Sequence, residues 1–154
     1  MRVLLQRVAS ASVSVEGAVT GEIGRGLLLL VGIAHGDTPE LARRMAEKCV
    51  GLRIFEDDGG RMNLSVADVA GAALCVSQFT LYGDVRRGKR PSFADAAEPA
   101  AARVIYEDFC RAIEGMGVDC ARGIFGAHMI VELANDGPVT LMLDSANLER
   151  PRRA

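Results

Sequence analysis

The chain has 154 residues, 49% hydrophobic and 25% charged, with 18 Lys and Arg against 20 Asp and Glu for a formal net charge of −2. That balance excludes a disordered or fibrous chain, and the length suits one domain with a substantial core. Near-neutrality excludes a blanket positive field as the means of binding nucleic acid and leaves only a local basic patch open.

Residues 2–15 alternate, with Val3, Leu5, Ala9, Ala11, Val13 and Val15 on one face and Gln6, Ser10, Ser12 and Ser14 on the other. Arg7 falls on the apolar face, where a charge is costly without a partner. Glu16-Gly17 predicts a hairpin turn into a strand over 18–23, and Gly24-Arg25-Gly26 a second turn into a buried strand over 27–33. The expectation is an antiparallel meander. Asp37 is the expected N-cap of a first helix, with Pro39 in its first turn and Glu40 at capping-box spacing. Leu41, Met45 and Cys49 then repeat every four residues, and Gly51 supplies the stop.

A strand over 52–56 and the turn Asp57-Asp58-Gly59-Gly60 follow. Residues 72–81 read as a strand that grows polar at its end, and 82–93 as a loop with the densest charge in the chain. A second helix is expected over 99–115, with Ile105, Phe109, Ala112, Ile113 and Met116 as its buried stripe. Strands near 118–122 and 128–134, the turn Asn135-Asp136-Gly137-Pro138 and a strand over 139–144 complete the domain, 1–145. A basic tail over 146–154 carries Arg150, Arg152 and Arg153. The predicted fold is α+β: a single domain with a mostly antiparallel, barrel-like β-sheet and two packing α-helices.

The longest apolar run, 27–34, is far short of the roughly 20 residues a bilayer demands, and Gln6 and Arg7 interrupt any signal-like start. No membrane partner is expected. Cys49, Cys75, Cys110 and Cys120 form no C-x-x-C pair, and His35 and His128 sit near none of them in sequence. Free thiols in a reducing cytoplasm, with no metal and no cofactor, are the expectation. The histidines read as structural or surface residues.

Three segments can carry chemistry. Ser77-Gln78-Phe79-Thr80-Leu81 places two hydroxyls and an amide at a strand end, able to bind a polar substrate or stabilise an oxyanion. The same polarity also marks a strand emerging into solvent, and pattern alone favours that second reading. Asn135-Asp136-Gly137-Pro138-Val139-Thr140 is a hairpin turn by composition, yet Pro138 removes an N–H where pairing should begin. A cis Gly137-Pro138 bond would suit such a turn. Arg86, Arg87, Lys89 and Arg90 put four positive charges in five residues beside Tyr82 and Phe93, able to hold phosphates and stack bases or simply to face water.

The opening Met1-Arg2-Val3 with Gln6-Arg7-Val8, the 77–81 segment and the 135–140 segment resemble the D-aminoacyl-tRNA deacylases, in order, over about residues 1–145. The resemblance implies a homodimeric cytoplasmic hydrolase that cleaves the ester between a D-amino acid and the 3′ adenosine of tRNA, with no DNA partner and with glycyl-tRNA as a second substrate. It implies that Gly137-Pro138 is a cis dipeptide reaching into the other subunit's pocket, where rigid backbone excludes an L side chain. Ser77, Phe79 and Thr140 are implied in substrate binding, and Arg7 as the brace of the dipeptide. The presence of Arg7 favours the D-specific branch over animal-type relatives that attack L-alanyl-tRNA. Thr80 and Gln78 are the implied catalytic pair. An aminoacyl ester is already activated, so backbone N–H groups of Phe79 and Thr80 with the tRNA 2′-hydroxyl can suffice without a side-chain nucleophile. The competing reading is a non-catalytic module, related to synthetase editing domains, that holds aminoacyl-adenosine or RNA without turnover.

Overall fold

In the computed structural model, which describes residues 1–148, strand β1 (Arg2–Val15) is the axis of the sheet. One edge of it runs antiparallel to β8 (Ile130–Asp144), from Arg2↔Asp144 to Ser14↔Ile130. The other edge is shared end to end by β3 (Gly26–Gly32), which pairs residues 2–8, and β2 (Ala18–Ile23), which pairs residues 11–15. Both run in the same direction. Residues 24 and 25 therefore interrupt one long hairpin arm and do not turn the chain back, so the expected meander is corrected. The cause is the length of β1, whose 14 residues extend about 45 Å, more than either partner can cover.

Strand β6 (Ala72–Ser77) adds parallel to β3, and β7 (Cys120–Arg122), shorter than expected, adds parallel to β6. At Gly21 of β2 a Cβ would come within 2.7 Å of the Arg122 carbonyl oxygen of β7. Glycine there lets the two ends of the sheet approach and nearly closes the barrel. The strand expected over 52–56 shrinks to β4 (Phe55–Glu56), paired with β5 (Met62–Leu64) in a separate two-stranded sheet. The mixed, barrel-like sheet with two long packing helices is the α+β domain that the sequence predicts.

Helix α1 (Pro39–Gly51) buries Met45 and Cys49, and α2 (Pro99–Gly115) buries Ile105, Phe109 and Ile113; the two pack on each other. The N-cap of α1 is Thr38, whose Oγ1 accepts from the Leu41 N–H at 3.2 Å, and not the expected Asp37. Asp37 is committed elsewhere. Its carboxylate accepts from the Met1 ammonium at 2.9 Å and from the Ala34 N–H at 2.7 Å. Helix α3 (Ser145–Leu148) begins the expected tail; Arg150, Arg152 and Arg153 lie outside the described residues.

The sheet is buried on both faces. Val3, Leu5, Leu27, Leu29 and Val31 pack toward the helices, while Val8, Ala11, Val13, Leu28, Leu74 and Val76 fill the barrel interior. That is why β3 reads as a continuous apolar run. Strand β1 changes phase midway: Val8 pairs Asn135 and Ser10 pairs Ala134, so Ala9 is an extra residue. This β-bulge turns Ala9 out to solvent, against the expectation from alternation.

Candidate active site

Strand β6 ends where its neighbours do. The Gln78 N–H still donates to the Val31 carbonyl at 2.8 Å, but β7 offers no residue beyond the Cys75↔Arg122 pair. With no ladder left, the chain closes into a one-turn 3-10 helix, Phe79–Tyr82, so the strand expected over 72–81 stops at Ser77. The Leu81 N–H bonds the Gln78 carbonyl at 3.3 Å. The N–H groups of Phe79 and Thr80, at the start of that turn, have no backbone partner among the described residues. The Gln78 side-chain amide donates to the Thr80 hydroxyl. Arg2 fastens the far end: Nη1 donates to the Leu81 carbonyl at 2.9 Å, Nε bonds Asp144 at 3.0 Å, and the guanidinium lies 4.6 Å from the Tyr82 ring centre. Half-burial beside Asp37 and Asp144 pushes the Tyr82 phenol well above its usual range, so it stays neutral.

A cavity of about 600 Å³ opens beside this turn, lined by Val31, Val76, Ser77, Gln78, Phe79, Phe93, Phe125, Gly126, His128 and Met129 among others. Phe79 is 57% exposed and meets Phe93 edge-on at 5.1 Å. Glu98 and His128 are the ionisable residues of the lining, and no hydrogen bond ties either to Thr80. A shallower depression of about 680 Å³ across β2, β1 and β8 holds none of the candidate residues.

The second group sits on β1 and β8. Residues 135–140 are no hairpin turn, because both flanking halves of β8 pair with the same strand. Asn135 pairs Val8 and Thr140 pairs Gln6, so 136–139 bulge out opposite Arg7 alone. The Gly137-Pro138 bond is cis. Arg7 is 5% exposed and meets the bulge from beneath. Its Nε lies 3.2 Å from the Asp136 carbonyl and 3.1 Å from the Asp136 carboxylate. Nη2 donates to the Gly137 carbonyl at 3.5 Å, and Nη1 to the Ile54 carbonyl at 2.6 Å. The Asn135 amide donates to the carbonyls of Arg7 and Val139, and the Gln6 amide to the Thr140 hydroxyl.

The basic loop lies beyond the 3-10 turn, pinned by a two-bond bridge between Asp84 and Ser92 at 2.7 and 2.9 Å. Arg86 is held by two contacts to the Asp84 carboxylate, which keep that group down to about 2. Arg87, Lys89 and Arg90 are exposed and make no ion pair among the described residues.

The structure thus brings Ser77, Gln78, Phe79 and Thr80 together, and separately Arg7, Gly137, Pro138 and Thr140. None of the second group lines the 600 Å³ cavity of its own chain. Sequence reasoning missed Arg2 and Asn135 as supports, and Phe93, Phe125 and His128 as lining. Arg2 acts through Leu81, and Asn135 in part through Arg7, each partner more than 75 residues away, which no local pattern reports.

The family model described as D-Tyr-tRNA(Tyr) deacylase matches residues 4–144. A D-aminoacyl-tRNA deacylase of Thermomicrobium roseum is 57% identical over 148 residues, 96% of each chain. That of Roseiflexus castenholzii is 55% identical over 152 residues, covering 99% of this chain and 97% of its own. A solved structure described as c-Myc DNA Unwinding Element Binding Protein superposes with a TM-score of 0.87 at 40% identity, over 94% of this chain and 99% of that one. A probable eukaryotic D-amino acid tRNA deacylase shares the fold, with a TM-score of 0.79 at 20% identity over 92% and 97% of the two chains.

Proposed function

The chain belongs to the D-Tyr-tRNA(Tyr) deacylase family, whose curated relatives are D-aminoacyl-tRNA ester hydrolases, and on that premise we propose how its own residues select and cleave the substrate. The observation that carries the proposal is the pair of N–H groups without a backbone partner at Phe79 and Thr80, in the turn whose Ser77, Gln78 and Phe79 line the apolar cavity. Water adds to the ester carbonyl, the developing oxyanion takes hydrogen bonds from those N–H groups, and the 3′ oxygen leaves with a proton. Thr80 is not the nucleophile. Its hydroxyl accepts from the Gln78 amide and has no base bonded to it, so nothing removes its proton. On this proposal the tRNA 2′-hydroxyl assists in place of a side-chain nucleophile.

Chiral selection falls to Gly137-Pro138 of a second copy. The dipeptide is exposed, is braced from below by Arg7, and stands apart from its own chain's cavity. Strand β8 pairs only with β1 among the described residues, which leaves a 15-residue edge bearing exposed Ile130, Leu133, Leu141 and Met142. Such an edge invites pairing with another copy of the chain. Backbone carbonyls delivered that way hold the substrate amino group and leave no room for an L side chain, while a D side chain or the hydrogen of glycine passes. Glycyl-tRNA is therefore a second substrate. Ser77 and Phe79 line the acceptor site, Thr140 supports the bulge through Gln6, and the loop 86–90 holds tRNA phosphates in the cytoplasm.

The test is release of free amino acid from matched D-, L- and glycyl-tRNA. Selective loss of the D and glycyl esters is expected. Retention of all three, with aminoacyl-adenosine still bound, would instead establish a non-catalytic module. A duplex-DNA binding arm is included because one similar structure carries a DNA-binding name; binding weaker than to tRNA is expected.

A further inference from the structure

Three cysteines far apart in sequence meet in the fold at a place the hydrolysis does not use. Cys75 on β6 and Cys110 on α2 are fully buried, and Cys120 on β7 is half-buried. All three sulfurs lie within 4.8 Å of one another, with Cys75 and Cys120 at 3.5 Å. Three thiolates around one d10 cation at about 2.3 Å stand roughly 4 Å apart, so this triangle has the right size with little movement.

We propose that Cys75, Cys110 and Cys120 form a three-thiolate site for a soft monovalent cation, of which Cu(I) is the biological member. The donor set argues for this ion. Thiolate sulfur selects soft metals, whereas structural zinc takes four ligands and only three are grouped here among the described residues. The Tyr106 hydroxyl beside the cluster is committed to the Cys75 carbonyl at 2.9 Å. Arg122, paired with Glu114 at 2.5 Å, stands close enough for its charge to bear on Cys110 and Cys120. Cys120 provides the entry. Each S–H proton leaves to solvent as its sulfur bonds the cation, and nothing is oxidised or reduced. The alternative is that three small thiols simply fill the core.

The experiment titrates the reduced full-length protein, without oxygen, with tetrakis(acetonitrile)copper(I) against a chromophoric Cu(I) chelator. One equivalent should be retained, with three sulfur neighbours and no fourth ligand by X-ray absorption. C75S, C110S and C120S, checked for folding by circular dichroism, should each lose at least tenfold in affinity, while C49S, whose thiol is buried elsewhere, keeps it. Two or fewer sulfur neighbours in the wild type, or unchanged affinity in C120S, overturns the proposal. The absorption measurement decides the matter even if C75S or C110S fails to fold.

Discussion

The Arg7 guanidinium touches Asp136 twice, at the backbone carbonyl (3.2 Å) and at the carboxylate (3.1 Å), and so joins the middle of β1 to the bulge that β8 makes over it. It also binds the carbonyls of Gly137 and Ile54. A buried cation with four acceptors is what makes an otherwise misplaced charge tolerable. Arg7→Ala strands three carbonyls and opens a void, so a stability loss of about 2–4 kcal/mol is expected in urea unfolding. Arg7→Lys restores charge but not the fork of donors. It should recover much of the stability while discriminating D from L esters less well. Equal D/L ratios in Arg7→Lys and wild type would limit Arg7 to a structural role.

Thr80→Val removes the hydroxyl that Gln78 holds and leaves the backbone N–H in place. Deacylation of D-aminoacyl-tRNA should stay within about tenfold of wild type, since no side-chain nucleophile is lost. A fall of several orders of magnitude, with tRNA binding intact, would make Thr80 catalytic in its own right.

The loop 86–90 should weaken tRNA binding when charges are reversed. Arg87→Glu with Lys89→Glu should flatten the dependence of log affinity on log salt by roughly two phosphate contacts. Asp84→Asn should act in the opposite sense by releasing Arg86. The Asp84 carboxyl is held down to about 2 by the Arg86 contacts, so its pairing is intact above the ordinary carboxylate range and is lost only as pH falls through about 2. A carboxyl NMR titration of the free protein checks that value. Tight tRNA binding unchanged in both variants would reduce the loop to a solvated surface.

Asp37 binds the Met1 ammonium in a site where neither side chain is more than 8% exposed. Ser145 accepts from the same ammonium at 2.8 Å and so ties α3 to the start of β1. Asp37→Asn leaves a buried cation without its counter-charge and should cost about 3 kcal/mol in thermal or urea unfolding. A change under 1 kcal/mol would show that Ser145 and local water hold the terminus alone.

Much of this fold is local physics. The placement of Pro39 in the first turn of α1, the four-residue apolar spacing of both helices and the double-sided burial of β3 are patterns of neighbours, and they read correctly from the chain. The cap itself fell to Thr38, because Asp37 is drawn to the Met1 ammonium. The errors within the long sheet share one cause. Ala9, the break at 24–25 and the bulge at 136–139 depend on which strand lies alongside, and alternation cannot report an extra residue on one side of a ladder. The candidate site divides the same way. Its residues stood out as motifs, and the family resemblance implied Arg7 beneath the dipeptide, but the hold of Arg2 on the 3-10 turn was not legible, because Arg2 on β1 reaches the Leu81 carbonyl only once β1 is the axis of the sheet.

The sequence by itself determined the class of fold, the family pattern and the local nature of any grip on tRNA, since a net charge of −2 permits no other. Tertiary structure alone decided which backbone N–H groups are left free, that residues 136–139 form a bulge over Arg7 and not a hairpin turn, and that three scattered thiols share one corner of the core. Those outcomes rest on where β3 and β7 stop and on contacts between residues far apart in the chain, and such contacts exist only after the sheet has closed.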